Sequence, residues 1–156
     1  MRHVARIAGL LAVALILSLI AVLGETRLLS FVVSGIEEGS LEDWLAGFVN
    51  WKLGGIVAAL AAALLWYALG QWVLRVEHPD ESNRRPIWAV LGAIPAVAAL
   101  IGVVKLPAPT DGSWLAYLFL IYSPLLCYYI GTVFFSPPSY RDTPPGAGAL
   151  RGLVRQ

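Results

Sequence analysis

Four apolar runs divide the sequence, and charged residues fall only before, between or after them. The runs cover about 7–23, 53–74, 87–104 and 115–135. Each is close to the ~20 residues that a helix rising 1.5 Å per residue needs to cross a ~30 Å hydrocarbon core. They are too continuous for barrel strands, in which polar and apolar residues alternate over about ten positions. The pattern therefore predicts an all-α polytopic membrane protein with four transmembrane helices.

The composition agrees with a chain surrounded by lipid. Of its 156 residues, 58% are hydrophobic and 13% are charged, and the mean hydropathy is +0.73. A soluble domain would be nearer ~45–50% apolar and ~25% charged. We therefore expect the chain to be embedded in a lipid bilayer and name the bilayer as its first partner. The net charge of +1 gives no reason to expect a nucleic-acid partner.

The basic residues predict an orientation. Only Arg27, Lys52 and Lys105 lie on one predicted side, and the other eight of the 11 basic residues lie on the opposite side. The positive-inside rule then places both termini in the cytoplasm, and we expect a multi-pass protein of a bacterial inner membrane. A cleaved signal peptide ending near Gly24 is the alternative for the first run, but 7–23 is longer than the usual 7–15-residue apolar core of such peptides.

The segment 25–52 between the first two spans is predicted to contain a short amphipathic outer helix. Ser40 and Asp43 match a capping box loosely, because Asp43 stands where Glu is preferred. Apolar residues then follow at helical spacing and form a one-sided stripe. They are Leu41, Trp44, Leu45, Phe48 and Trp51. Two interpretations stay open, a helix resting in the headgroup layer and a docking surface for another subunit.

Small residues recur at helical spacing on the second and third spans. Gly55, Ala59 and Ala63 share one face of span two, and Gly92 and Ala96 share a face of span three. Small residues at this spacing let helix backbones approach closely in lipid. We expect a tight interface between these two spans. Contact with another protein, including a second copy of the chain, and chance spacing in an alanine-rich chain are the alternatives.

Aromatic residues and a proline-rich tail mark the other end of the chain. Trp66 lies nine residues before Arg75, about 13 Å deeper by helix rise, so we expect it to pack inside the bundle. Tyr128 and Tyr129 lie deep in span four, where packing is expected and binding of a lipid or quinone headgroup is the alternative. The tail 136–156 is predicted to be a flexible cytoplasmic segment, extended and mobile as far as Gly148.

The sequence carries no recognisable catalytic motif. It has no phosphate-binding Gly-Lys-Ser/Thr loop, no HExxH and no nucleophile elbow. Cys127 is the only cysteine, and His3 and His78 both fall in polar flanks. The predicted spans contain no charged residue, which argues against a pump or an ion-coupled transporter. We therefore predict a protein that is not an enzyme and has no metal site and no cofactor.

These observations favour a scaffold or accessory subunit of a larger membrane assembly, such as a secretion, motor or envelope complex. Protein partners in the membrane are therefore expected. An oligomeric channel or small-solute permease is the alternative, with a path lined by Ser18, Gln71, Ser123, Thr132 and the tyrosines. A membrane-bound lipid-modifying enzyme is the third hypothesis, and only the polar loop 77–85 offers residues for it.

Overall fold

The computed structural model describes residues 2–33, 40–70, 81–107, 113–136, 140 and 143–149. In this part of the chain the regular structure is helical and there are no strands. The long helices are α1 (Arg2–Val32), α2 (Leu41–Ala68), α3 (Glu81–Lys105) and α4 (Ser113–Phe135). The all-α prediction is thus confirmed.

Three of these helices are long and apolar enough to cross a membrane. They are Leu41–Ala68, Arg84–Lys105 and Trp114–Phe134. The predicted first span, 7–23, forms the middle of α1, but α1 is not among the three in the described residues. The chain is therefore compatible with a multi-pass membrane protein with three candidate spans, and a fourth span stays a prediction.

Consecutive helices run antiparallel, and α2 packs against each of the other three. The Trp44 side chain, near the start of α2, reaches Pro107 just after α3, which fixes the two helices in opposite directions. We call this end of the bundle, with the end of α1 and the start of α4, the Trp44 end. The opposite end contains the end of α2, the start of α3 and the end of α4, and we call it the Trp66 end.

Helix α2 begins twelve residues earlier than the predicted second span, at Leu41 instead of Leu53. Ser40 is its N-cap, as predicted: the Ser40 hydroxyl accepts a hydrogen bond from the Asp43 N–H at 3.1 Å and donates one to the Asp43 carboxylate at 2.8 Å. The predicted outer amphipathic helix is not a separate element, because 41–50 continues into the span without a break. No proline interrupts the helix there, and the helix continues through the Gly54-Gly55 pair, a dipeptide that often marks a turn.

The apolar stripe of 41–51 therefore has a different partner from the predicted headgroup layer. It packs inside the Trp44 end, in a cluster that draws side chains from all four helices and from Leu106. The fully buried members of this cluster include Leu29, Phe48 and Ala116. A stripe that was expected to face lipid headgroups or another subunit thus closes one end of the bundle.

Part of the tail packs on the Trp66 end, where the sequence predicted an extended, mobile segment. The Tyr140 ring is 2% exposed and meets Trp66 edge-on, with ring centroids 5.7 Å apart. The Arg84 guanidinium lies over the other side of this contact, 4.6 Å from the Tyr140 ring centroid. The Tyr129 hydroxyl donates a hydrogen bond to the Pro145 carbonyl. Aromatic side chains at the helix ends give this proline-rich segment contacts that its composition alone does not reveal. Residues 150–156, which the same prediction included, lie outside the described residues.

Candidate functional site

A buried ion pair joins α1 to α2. The Lys52 ammonium group of α2 contacts the Glu25 carboxylate of α1 through Oε2. Lys52 is fully buried and Glu25 is only 7% exposed. Charged side chains are almost never buried without a partner, because removing them from water is costly. The two charges compensate each other, so the site carries no net charge.

The ion pair lies well inside the bundle. Glu25 comes eight residues before Val33, and Lys52 comes eight residues after Trp44. At 1.5 Å per residue, both therefore lie about 12 Å below the Trp44 end. Ser123, which contacts Glu25, stands next to the midpoint of the candidate span Trp114–Phe134. The depth of the pair is thus that of the interior of a span rather than of an interface.

Two hydroxyl groups of α4 face the second oxygen of the carboxylate. The Ser123 hydroxyl lies 3.4 Å and the Tyr122 hydroxyl 3.5 Å from Glu25 Oε1. Strong O–H···O hydrogen bonds are 2.5–3.0 Å long, so these contacts are weak. On the other side, Lys52 Nζ lies 5.8 Å from the centroid of the Phe48 ring, within the range of a cation–π contact. The cluster of Glu25, Lys52, Tyr122 and Ser123 is the candidate site.

Helical spacing explains why these side chains converge. On α1, Glu25 belongs to the buried stripe that includes Val22, Leu29 and Val33. On α2, Lys52 lies one turn after the buried Phe48 and one turn before the buried Ile56. Residues three or four apart share a helix face, so each charge is carried inward by its apolar neighbours.

Close approach of α2 to α4 occurs directly beside the ion pair. A Cβ atom on Gly55 would lie 2.7 Å from Pro124 Cγ, so the missing side chain is what lets the two helices meet. One turn further toward the Trp66 end, Ala59 is fully buried. At Gly131 of α4, an added Cβ would lie 3.3 Å from the Cβ atom of Ala63. The predicted Gly55-Ala59-Ala63 face is therefore buried. Gly55 and Ala63 meet α4, and Trp88 and Leu91 of α3 pack against the cluster that contains Ala59 and Ala63.

The small residues of α3 have different surroundings. A Cβ atom on Gly92 would lie 3.0 Å from the Tyr128 ring of α4, and Ala96 is half-buried. A Cβ atom on Gly102 would lie 3.2 Å from the Cβ atom of Trp51 on α2. The contact between α2 and α3 thus includes a close approach at this glycine near the Trp44 end. Trp88 and Leu91 of α3 also pack against the cluster of Ala59, Ala62, Ala63 and Tyr128 toward the Trp66 end.

Most of the aromatic residues that were predicted at an interface lie instead in the interior of the bundle. Trp44 is buried and its indole N–H donates to the Pro107 carbonyl at 2.8 Å. Phe48 is fully buried beside it, and Trp51 is half-buried. At the opposite end, Trp66 is 1% exposed and donates to the Ser136 hydroxyl at 2.9 Å. Trp66 therefore packs inside the bundle, as expected, and a serine just after α4 supplies its acceptor.

The two tyrosines of α4 both use their hydroxyl groups. Tyr128 donates to the Trp88 carbonyl of α3 at 2.6 Å, and the Trp88 indole donates to the Thr132 hydroxyl at 3.0 Å. Tyr129 bonds to the tail through Pro145. These contacts join α3, α4 and the tail, which is the packing role expected for Tyr128 and Tyr129.

Sequence reasoning missed the ion pair itself. Glu25 and Lys52 were placed outside the spans, because the apolar runs were taken to end at Leu23 and begin at Leu53. Both helices continue past these residues, and Lys52 lies inside the candidate span Leu41–Ala68. The expectation that charges lie only outside the spans is therefore wrong for Lys52. The sequence did contain a signal for the ion pair. One acidic and one basic residue each border an apolar run, at the two ends of the segment that connects the first two runs.

Nothing in the described residues points to a metal site. No three side chains of His, Cys, Asp or Glu come together in the part of the chain that the structure describes. The chemistry available at the candidate site is electrostatic: one carboxylate, one ammonium group and two hydroxyl groups.

Comparison with known proteins gives no relative for this chain. No protein-family model, no curated protein and no solved structure matches it.

Proposed function

We propose that the chain is a non-enzymatic integral membrane protein that acts as a scaffold or accessory subunit of a larger membrane assembly. The observation that carries the proposal is that polar side chains in the interior of the bundle bind to other parts of the same fold. The indoles of Trp44, Trp66 and Trp88 each donate to another part of the fold. Glu25 and Lys52 neutralise each other. Polar side chains committed to holding helices together are typical of a structural bundle.

The outward surfaces of α1 and α3 supply the contact area that such a subunit needs. Large apolar side chains are exposed along both helices, with Phe31 87% and Val104 81% exposed. In a bilayer these surfaces face lipid or the helices of a partner, and they require no further burial to be stable. This supports a protein that works through its membrane-facing surfaces.

The proposed location is a bacterial inner membrane with both termini in the cytoplasm. Its support is the unequal distribution of arginine and lysine between the two predicted sides. A periplasm-active reporter fused after Asp43 should be active and one fused after Gln156 inactive. The reverse result would contradict the orientation.

Purification with its partners tests the main proposal. The tagged full chain is extracted in mild detergent and the co-purifying proteins are identified by mass spectrometry, followed by native mass spectrometry of the complex. We expect a defined stoichiometric partner. Val104→Ser and Phe31→Ser change the two most exposed large apolar side chains of the described residues. They should weaken recovery of that partner without changing the yield of the chain. Recovery of the chain alone as a monomer contradicts the proposal.

An oligomeric permease is the second candidate, and the ion pair is the observation that favours it. Ionisable side chains at membrane depth mark substrate and ion pathways in many transporters. Solute or proton flux into vesicles reconstituted with the chain tests this function. Exchanging the two charges, as Glu25→Lys with Lys52→Glu, separates the candidates: a structural pair tolerates the exchange, whereas a transport site loses its flux. Absence of flux with the original chain contradicts the permease.

A further inference from the structure

Helix α1 attaches to the rest of the bundle through one narrow stripe. Among its described side chains, the buried ones are Val22, Glu25, Leu29 and Val33, spaced three or four residues apart. Its other described side chains are half-buried or exposed, including large ones such as Leu19 and Ile20. α1 packs on α2 and α4, and α3 is not a major neighbour. Among the described side chains of α1, one side of the helix therefore makes the attachment.

The glycines show that α1 does not approach its neighbours closely at its own small residues. A Cβ atom added at Gly9 or Gly24 would meet nothing within 4 Å. In the α2–α4 part, the corresponding atoms at Gly55, Gly92 and Gly131 would lie 2.7–3.3 Å from a neighbouring helix. Close packing over small residues is a principal source of helix association in lipid. That source operates among α2, α3 and α4, and it is missing at the glycines of α1.

Neutral hydrogen bonds give the α2–α4 part further connections of its own. Trp88 and Tyr128 join α3 to α4, and Trp66 joins α2 to Ser136 after α4. Trp44 joins α2 to the segment after α3. None of these bonds involves α1. The three helices thus have packing and hydrogen bonds that do not depend on the presence of α1 in its docked position.

The contacts with α2 and α4 that the described side chains of α1 show are an apolar stripe and the charge pair. Apolar side chains leave lipid for a protein surface with little gain, because lipid tails are as apolar as leucine. A charge pair at membrane depth behaves differently, since each partner separated from the other would stand alone in a low-dielectric medium. Glu25 also reaches both neighbours, Lys52 of α2 and the hydroxyl groups of α4.

We infer that the Glu25–Lys52 pair is an ionic clasp that holds α1, as a separable helix, against a self-sufficient core of α2, α3 and α4. Loss of the clasp releases α1 and leaves the core assembled. The position of α1 then depends on a single interaction, which makes α1 the movable element of the bundle. This inference does not rest on the proposed subunit role.

Distances between spin labels in the full chain test the clasp. In a Cys127→Ser background, labels at Phe31→Cys and Val104→Cys report the position of α1 relative to α3, because both side chains are exposed. A second pair, Val57→Cys and Val104→Cys, reports the core alone, since both its positions are also exposed. Pulsed electron paramagnetic resonance in lipid nanodiscs then gives the distance distribution for each pair.

We expect a narrow distribution for both pairs in the parent chain. Glu25→Gln and Lys52→Gln should each broaden the α1–α3 distribution and add longer distances, while the core pair stays narrow. Exchanging the charges, as Glu25→Lys with Lys52→Glu, should restore the narrow α1–α3 distribution. Glu42→Gln is the matched control, because it removes one exposed acid from the same region of the chain and should change neither pair.

A fourth variant separates the clasp from simple packing. Glu25→Met with Lys52→Met replaces both charges by apolar side chains of similar length. If the pair is a clasp, this variant releases α1 as the single changes do; if packing holds α1, its distribution stays narrow and the inference is overturned. A narrow distribution in the single variants overturns it as well. Should the single variants fail to fold, the charge exchange decides: a folded chain with a narrow distribution supports the clasp, and failure to restore it contradicts the clasp.

Discussion

Helices α1 and α4 both pack against α2, but they do so by different physical means. Helix α4 meets α2 where side chains are missing or small, at Gly55 against Pro124 and at Ala63 against Gly131. Helix α1 meets α2 through two full charges, Glu25 and Lys52. The first contact is distributed over several turns, and each residue adds a little. The second is concentrated in one pair, so a single substitution should affect α1 much more than any single substitution affects the packing of α4.

The largest loss of stability is expected from Lys52→Met. Met keeps a long apolar side chain but leaves the buried Glu25 carboxylate without its countercharge. Breaking a buried ion pair by removing one partner costs about 3–5 kcal/mol. The measurement is the free energy of unfolding in detergent micelles, followed by tryptophan fluorescence.

Lys105→Met is the matched control for that change. Lys105 ends α3 and is exposed, so its replacement should change the free energy of unfolding by no more than about 0.5 kcal/mol. Equal losses in the two variants would mean that a lysine charge in general, rather than the pair, stabilises the chain. The contrast between α1 and α4 would then fail.

The next largest loss of stability is expected from Gly55→Ala at the α2–α4 contact. The new Cβ would lie 2.7 Å from Pro124 Cγ and 3.4 Å from Pro124 Cβ, and a proline ring cannot rotate out of the way. Overpacking of this kind costs about 1–3 kcal/mol, which should appear as a lower free energy of unfolding. Combining it with Pro124→Ala should recover part of the loss, because the clashing ring is then removed.

The adjacent residue provides the control for this prediction. Gly54 is exposed, and a Cβ atom there would meet nothing within 4 Å. Gly54→Ala should therefore leave stability unchanged or raise it by up to about 1 kcal/mol, the difference in helix propensity. A loss in Gly54→Ala as large as that in Gly55→Ala would show that the close approach to Pro124 is not the cause.

The same two contacts show how far the sequence could predict this fold. Apolar runs and capping signals predicted the helices, and the four-residue spacing of Gly55, Ala59 and Ala63 predicted a buried small-residue face. Spacing alone does not identify every helix on the other side: contact with α3 was expected, and the close approach of Gly55 and Ala63 to α4 was not. Identifying a neighbour requires tertiary geometry, which a pattern within one helix does not contain.

The candidate site was harder to predict for a related reason. Glu25 and Lys52 border the apolar runs, and a charge at the end of a run is ordinarily read as the end of a span. Each continues its helix because the next residues remain helix-compatible, and each can be buried only because the other is opposite. Pairing is a property of two helices together. A rule that charges stay outside membrane spans therefore excluded both residues.

A smaller effect is expected at the tail. Tyr140→Ala removes the edge-on contact with Trp66 and the ring beneath the Arg84 guanidinium. An aromatic pair of this geometry contributes about 0.5–1.5 kcal/mol beyond its buried area. We expect a modest loss of stability and faster proteolytic cleavage near the tail, measured by limited proteolysis in micelles.

Tyr140→Phe is the control for the tail prediction, because it keeps the ring and both of its ring contacts. Its cleavage rate should be closer to that of the parent chain than the rate of Tyr140→Ala is. Equal cleavage rates in the parent, Tyr140→Phe and Tyr140→Ala would show that the ring contacts do not hold the tail. The core of α2, α3 and α4 would then rest on its helix contacts alone, which sharpens its contrast with α1.

The smallest change in the free energy of unfolding is expected from Gly24→Ala. Whether this free energy rises or falls matters more than the size of the change. Gly24 precedes Glu25 on α1, and a Cβ atom there would meet nothing within 4 Å. Because alanine favours a helix over glycine by up to about 1 kcal/mol, the variant should be as stable as the parent chain or slightly more stable. The same substitution at Gly55 is expected to destabilise. Measured side by side by tryptophan fluorescence, the two variants compare the attachments of α1 and α4 directly. A loss in Gly24→Ala comparable to that in Gly55→Ala would mean that α1 also packs by close approach, and α1 would then be no more separable than α4.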